Sequence, residues 1–281
     1  VPVPGLATDY HEFTPWITPD CMRLYFVAVY PVGFGGNDIF YRNRQSDGSW
    51  GPIINLGPPI NSAADERAPC LSPDGRTFMF TSYGRPNQPA VTSIYCAQLL
   101  FNGRWSEPKP FDPANSRYSE FTAYPTHDGS RMYFTSYRPG GSGNEDIWCI
   151  EQVPGGWGQP YPLKPPINSA YAERTEAVGW GDEFLFFGSN RPFGLGYDDL
   201  FLAQLDADKK GGTIRWLGEV NSVQREYSPT YDAKSGVLYF CRMRPGSRSR
   251  GMDIYMSRAN LPWDEDGPPC LVLLFNTFQH F

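Results

Sequence analysis

The chain is poor in the features that mark several large classes of protein. Its 281 residues contain no apolar run long enough to cross a bilayer, since the stretch Cys270 to Phe275 is too short. Membrane insertion is therefore not expected. Lys and Arg number 24 against 30 Asp and Glu, for a formal charge of −6, whereas a phosphate-binding groove needs clustered cations. Nucleic acid is excluded as a partner on that ground. No Cys-x-x-Cys pair or Cys/His spacing would build a zinc site. Nucleophile-elbow, phosphate-loop and His-Glu-x-x-His motifs are absent too. Cys96 and Cys149 follow Ile-Tyr and Ile-Trp and read as small buried hydrophobes. Cys21, Cys70, Cys241 and Cys270 have no counterparts, and cysteine usage does not fix a redox compartment. The chain begins Val1-Pro2-Val3-Pro4 without methionine or a signal-like segment, which fits a processed exported chain or one trimmed at its start.

Aromatic residues make up 16% of the chain, and Gly and Pro together number 57. That mixture favours short strands joined by tight turns and leaves little room for helix. Laid against itself, the chain repeats about every 53 residues, each copy opening with a glutamate: Glu12, Glu66, Glu120, Glu173 and Glu226. A short first strand leads to a turn such as Pro73-Asp74-Gly75 or Asp128-Gly129. An aromatic second strand follows: Leu24-Tyr25-Phe26, Phe78-Met79-Phe80, Met132-Tyr133-Phe134, Leu185-Phe186-Phe187 and Leu238-Tyr239-Phe240. It is apolar throughout, as suits a strand covered on both faces. The third strand contains Asp38-Ile39-Phe40, Ser93-Ile94-Tyr95, Asp146-Ile147-Trp148, Asp199-Leu200-Phe201 and Asp253-Ile254-Tyr255. The fourth is announced by Trp50, Trp105 and Trp157, and linkers such as Ile60-Asn61-Ser62 lead onward.

Four short strands cannot bury their own faces and must stack radially on neighbours. The expected fold is an all-β five-bladed β-propeller with four antiparallel strands per blade, a single domain over 1–281. Its repeats run approximately 10–62, 63–116, 117–169, 170–222 and 223–281. In the fourth repeat the outer strand is rebuilt around the polar insert Asp206 to Gly212. In the fifth, Trp263 to Phe281 is expected to supply the outer strand, Leu271 to Phe275 pairing or packing to close the ring near Val1 to Leu6; the alternative is a linker from a longer polypeptide.

Ser72-Pro73-Asp74-Gly75, Ser136-Tyr137-Arg138 with Asp146-Ile147-Trp148, and Arg242-Met243-Arg244 with Asp253-Ile254-Tyr255 resemble the TolB-type, WD-like β-propeller repeat. The resemblance runs from about Tyr10 to about Trp263. It implies an exported protein, in the periplasm, the cell envelope or outside the cell, acting as a binding platform. It does not specify function.

Residues facing each other across a hairpin have numbers that sum to a constant. Glu66 is thus expected near Tyr83 to Arg85, Glu120 near Arg138, Glu173 near Arg191 and Glu226 near Arg244. They gather at one end of the propeller, with the loops Gly33 to Asn37, Pro86 to Val91, Pro139 to Glu145, Pro192 to Asp198 and Pro245 to Met252. Any ligand is expected at this mouth. One reading has the five glutamates ringing the channel around a cation or polar ligand. At roughly 8 Å and an effective dielectric near 20, each like pair would cost about 2 kcal/mol. The other reading pairs each glutamate with its arginine as structural glue.

The first repeat has Tyr30-Pro31 where the others have Arg-Pro, leaving Glu12 without an arginine beside Tyr10 and His11, a focus for binding. Adjacent strand residues face opposite ways, which argues against a His11 and Glu12 dyad. In the second repeat Ser93 replaces the recurrent Asp, freeing Arg85 for an anionic ligand. The recurrent Asp itself is expected to order its blade by accepting hydrogen bonds. Asn144-Glu145-Asp146 and Tyr197-Asp198-Asp199 offer oxygens for a structural calcium without the spacing of a dedicated loop. No other cofactor is expected. His127 and His280 read as surface residues.

The leading functional reading is a non-catalytic scaffold, monomeric, binding a protein partner. The second is a lectin-like glycan-binding module using Tyr83, Tyr137, Phe193 and Tyr197. The third is a glycosidase, which needs two carboxylates roughly 5 to 10 Å apart. Its catalytic residues would be Glu12 and Glu176, the latter standing where other repeats have Pro15, Pro69 and Pro229.

Overall fold

The computed structural model describes residues 1–4, 8–86, 90–178, 182–232, 235–245 and 251–258, with backbone only for 175–178. These residues form five small antiparallel sheets and no α-helix. Blade one is β1 (Glu12–Ile17), β2 (Arg23–Ala28), β3 (Asp38–Asn43) and β4 (Ile54–Asn55). Blade two is β5 (Asp65–Leu71), β6 (Thr77–Tyr83), β7 (Ser93–Gln98) and β8 (Lys109–Pro110). Blade three is β9 (Glu120–Pro125), β10 (Arg131–Ser136), β11 (Asp146–Val153), β12 (Gly156–Trp157) and β13 (Tyr161–Pro162). Blade four is β14 (Glu173–Val178), β15 (Phe184–Ser189), β16 (Asp199–Leu205) and β17 (Gly212–Trp216). Blade five is β18 (Glu226–Asp232), β19 (Val237–Met243) and β20 (Met252–Ser257). The five-bladed propeller expected from the repeats is the fold observed. No helix is long and apolar enough to cross a membrane among the described residues.

Strand alternation explains the radial packing. The middle residue of each aromatic triplet points to the following blade and its two neighbours to the preceding one. Tyr25 packs with Phe78 and Phe80 of blade two, whereas Leu24 and Phe26 pack with Tyr239 of blade five. Met79 joins Met132 and Phe134, Tyr133 joins Leu185 and Phe187, and Phe186 joins Leu238 and Phe240. Five apolar clusters result, one between each adjacent pair, and the cluster joining blades five and one closes the circle. Burying a large apolar side chain contributes about 1.5–3 kcal/mol, so these interfaces supply the main cohesion.

The fourth strands are minimal. Trp50 and Trp105 make isolated bridges to Arg44 and Leu99, and the paired segments come later, with Asn55, Pro110 and Pro162 opposite Phe40, Tyr95 and Trp148. In blade four the polar insert forms a hairpin and β17 pairs over five residues, Trp216 opposite Phe201. Blade five takes its outer edge from the other end of the chain. Pro2 bridges Tyr255, the Val3 N–H donates to the Ile254 carbonyl at 2.9 Å, and the Met256 N–H donates to the Val1 carbonyl at 2.8 Å. Val3 thereby occupies the place of Leu56, Phe111, Leu163 and Leu217, whose N–H groups bond the equivalent carbonyls of Ile39, Ile94, Ile147 and Leu200. The outer strand was expected from residues 263–281; those lie outside the described residues, and the described edge of β20 is paired with Val1 to Val3. Arg42 reinforces the join by donating to the Pro4 carbonyl at 3.3 Å, and Arg44 pairs with buried Asp232.

Removing Val1 to Val3 should lower stability by about 2 kcal/mol through loss of the buried Val3 side chain and its ladder bonds. Urea denaturation of the truncated chain checks this, and an unchanged midpoint would show that the edge does not depend on these residues.

Candidate functional site

Each blade begins where the chain turns from the outer edge of one sheet to the axis of the ring. The turn's polar groups lose water there and need partners. In the linker, Asn61 accepts from the Ile39 N–H through Oδ1 and donates to the Ile39 carbonyl through Nδ2, so its amide imitates a neighbouring strand. Asn115, Asn168 and Asn221 do the same on Ile94, Ile147 and Leu200. The next residue meets the glutamate four positions on. Ser62 donates its hydroxyl to Glu66 at 2.6 Å and its N–H at 3.0 Å, and the pattern recurs for Ser116 with Glu120, Ser169 with Glu173 and Ser222 with Glu226. Thr8 stands in the same place and bonds Glu12.

Arginine completes this latch. Arg85 lies 3.0 Å from Glu66, Arg138 3.0 Å from Glu120 and Arg191 3.1 Å from Glu173. Each also donates to a linker carbonyl, of Ile60, Ala114 and Ile167 respectively. Their guanidinium carbons stand about 5 Å from two aromatic rings, Phe80 and Tyr95 in the case of Arg85. The hairpin arithmetic holds in these three blades. In blade five it fails, because Arg242, two residues earlier, pairs with Glu226 at 2.7 Å and donates to the Val220 carbonyl. Arg242 stands at the serine position of the other blades and reaches the same site. Arg244 instead binds Asp253 and the carbonyls of Thr8 and Tyr10, tying blade five to blade one.

All five glutamates are fully buried, and none lines the central cavity. The picture of a glutamate ring around a ligand is corrected: Glu66, Glu120, Glu173 and Glu226 spend their oxygens inside the fold. Arg85 is corrected likewise, since its side chain is only 13% exposed and engaged with Glu66, Ser82 and the Ile60 carbonyl. Glu176 falls on β14, where side chains lie outside the described set.

Glu12 is the exception within the latch. Tyr30 replaces the arginine and donates to Glu12 at 3.0 Å, its ring packing on Phe40 and Tyr10. Ala28 replaces the serine of β6, β10 and β15, and Glu12 Oε2 is buried without a hydrogen-bond partner. Burial with no cation in the latch pushes its carboxyl up to about 7, against the lowering effect of the Thr8 and Tyr30 hydrogen bonds. Tyr10 is half exposed, and His11 faces the cavity while Glu12 does not, as strand alternation requires.

The cavity at the mouth measures about 830 Å³. Its wall is built by the residue after each glutamate: Phe13, Arg67, Phe121, Arg174 and Tyr227. Thr14, Ala68, Thr122 and Ser228 come next in left-handed conformations, φ 41° to 51°, and each sits at a bulge in the first hairpin. Sequence reasoning missed this ring, although alternation from the glutamates pointed to it. The cavity's charged side chains are unequal. Arg174 holds Glu145 with two nitrogens, at 2.7 and 2.8 Å, and Asp198 at 3.1 Å, and Asp198 also receives Arg225. The Arg67 side chain is 46% exposed, makes no hydrogen bond among the described residues, and has Asp65 at 3.5 Å.

The recurrent Asp orders the mouth loops as expected: Asp38 accepts from the Phe34 N–H, Asp146 from Ser142 and Gly143, and Asp199 from Gly196. The calcium expectation finds Glu145 and Asp198 held by arginines, and no three acidic, His or Cys side chains converge on a metal position among the described residues. Tyr83, Tyr137, Phe193 and Tyr197 are exposed. Val32 and Phe34 of blade one stand at the same loop positions as Phe193 and Leu195 of blade four, all four exposed; Phe193 has φ 80° where Gly140 of blade three has 110°. His127, at the opposite end, bonds Asp182 at 2.8 Å through Nδ1.

No family model and no curated protein matches this chain. Solved structures do. A TolB-type protein of Agrobacterium tumefaciens superposes with a TM-score of 0.56 at 12% identity, covering 89% of this chain and 78% of that one. A thermostable family-43 glycoside hydrolase gives 0.61 at 12% identity, covering 93% and 96%, and an α-L-arabinofuranosidase of Lactobacillus brevis gives 0.55 at 12%, covering 96% and 95%. The likeness is one of fold.

Glu12 and Glu120 should respond oppositely to neutralisation. The folded-state pKa of Glu12 lies above its unfolded value, so its favourable contribution is complete below about pH 4.5 and is lost as pH rises through about 7. Glu12→Gln should therefore leave stability unchanged at pH 5 and raise it at pH 8. Glu120→Gln strands Arg138 and should cost about 3 kcal/mol at both. Urea titrations at the two pH values read the difference.

Proposed function

We propose that the chain is a non-catalytic binding propeller of an exported or cell-envelope protein, carrying TolB-type repeats and holding its partner in the mouth cavity. One observation supports this above others. The cavity is walled by Phe13, Phe121, Tyr227 and Tyr137, and its single described carboxylate, Glu145, is held by both arms of Arg174. Glycoside cleavage by two carboxylates requires an acid and a base or nucleophile flanking the bond. Among the described side chains the wall has no such pair. Its volume falls within the 300–1,000 Å³ usual for ligand sites, and its aromatic surface suits association better than chemistry.

Glycan binding is the second reading, favoured by the exposed rings of Tyr137 on the wall and Tyr83 beside it, since flat apolar faces stack on sugars. A protein partner has the rim available as well, through Val32, Phe34, Phe193 and Leu195.

Carbon-13 labelling of methionine methyls tests the site, because Met252 lines the cavity and exposed Met22 lies at the opposite end of blade one. Titration with cell-envelope protein fractions should shift Met252 and not Met22, and Phe121→Ala should weaken the response at least tenfold. Incubation with arabinan should release no reducing sugar. Sustained release that follows the chain through repurification would overturn the non-catalytic reading, and a Met252 signal that never moves would overturn the mouth as the binding site.

A further inference from the structure

Of the two arginines on the cavity wall, Arg174 is held by Glu145 and Asp198, while Arg67 has only the longer ion pair with Asp65. The Arg67 side chain projects from the residue after Glu66 into the cavity, with its guanidinium carbon 6.0 Å from the centre of the Phe13 ring. It also borders a side pocket of about 260 Å³ that runs past Thr81 and Tyr83. Asp65 Oδ2 lies 3.5 Å from one of the Arg67 nitrogens, while Asp65 Oδ1 accepts the Asn37 N–H. The rest of the guanidinium fork makes no side-chain hydrogen bond among the described residues and stands in an aromatic cavity of a protein with net charge −6.

The remaining polar groups of the wall limit what those donors can serve. Glu145 is held by Arg174, Thr122 and Thr135 bond each other at 3.1 Å, and the Thr81 hydroxyl donates to the Arg67 carbonyl at 3.3 Å. A polyhydroxylated ligand would need acceptors that these groups no longer offer. An anion on an apolar body needs only the fork and the rings. The Thr14 hydroxyl, buried without a partner on the same wall, adds one more donor beside Phe13.

Resting on the binding role proposed for the mouth, we infer that the cavity reads the C-terminal carboxylate of a peptide chain, with Arg67 receiving the carboxylate and Phe13, Phe121 and Tyr227 enclosing the last apolar side chains. A carboxylate matches the guanidinium fork in a bidentate, charge-assisted arrangement.

Fluorescence anisotropy on the full chain tests this with a labelled pentapeptide library ending in free carboxylates and the same library amidated. The tightest acid peptides should lose at least tenfold on amidation, and Arg67→Gln should abolish that difference. The urea midpoint of the variant should stay close to wild type, because the Arg67 side chain has only a half-exposed ion pair with Asp65 and a contact with the Phe13 ring, and Arg67→Lys should restore part of the preference. Acid and amide binding equally, yet both weakened by Phe121→Ala, would overturn the carboxylate inference and leave the mouth as a binding site. An oligogalacturonate that binds through Arg67 when neither library does would overturn the peptide assignment. Binding indifferent to both Phe121→Ala and Arg67→Gln, or no binding of any probe, would overturn the inference together with the reading beneath it.

Discussion

The buried carboxylate at the head of each first strand is the constraint on which the ring depends. A propeller chain must travel from the rim of one blade to the axis of the next, and that crossing passes under the neighbouring sheet, where water is excluded. The glutamate accepts from the linker Ser or Thr, and in four blades an arginine joins it to a linker carbonyl while lying against two aromatic rings. One cluster therefore fixes the linker, the first hairpin and the inner face of the aromatic strand. Removing either charge exposes the other to a medium that solvates it poorly, which makes the pair a requirement of the geometry once it exists.

The first blade shows the same device with its cation removed. Tyr30 fills the space of the guanidinium with a ring and keeps one hydrogen bond, and Glu12 retains its position with a raised affinity for a proton. Arg244, released from the latch of blade five by Arg242, crosses to the Thr8 and Tyr10 carbonyls. The two departures from the repeat meet at the same junction, where Val1 to Val3 pair with β20.

Much of this was legible in the residues. Recurrence of the aromatic triplets fixed the number of blades, and hairpin counting placed Arg85, Arg138 and Arg191 against their glutamates. Depth was not legible, because counting across a hairpin gives neighbours but does not say which face of a radial blade is covered by a linker. For that reason the residues left open whether the glutamates ring the channel or pair with arginines inside the fold, and it is the residues beside them that line the cavity. The bulges were hidden because Thr14, Ala68, Thr122 and Ser228 hold left-handed backbone without the glycine that usually announces it. Arg242 was missed because side-chain reach is invisible to strand register. The outer edge of blade five had a faint signal, Val1-Pro2-Val3 matching Lys109-Pro110-Phe111 and Tyr161-Pro162-Leu163, with Thr8 four residues before Glu12 as Ser62 is before Glu66.

The pairing of Val1 to Val3 with β20 also sets an order of events during synthesis. Blades one to four can each complete a sheet soon after their residues emerge, because their strands are consecutive. The fifth cannot, since its outer strand precedes blade one and its partner β20 follows blade four, a separation of 255 residues in the chain. Closing so long a loop costs only about 0.6 kcal/mol for each doubling of its length. The delay is consequently one of sequence order more than of energy, and Val1 to Val3 lack this partner until β20 has been made.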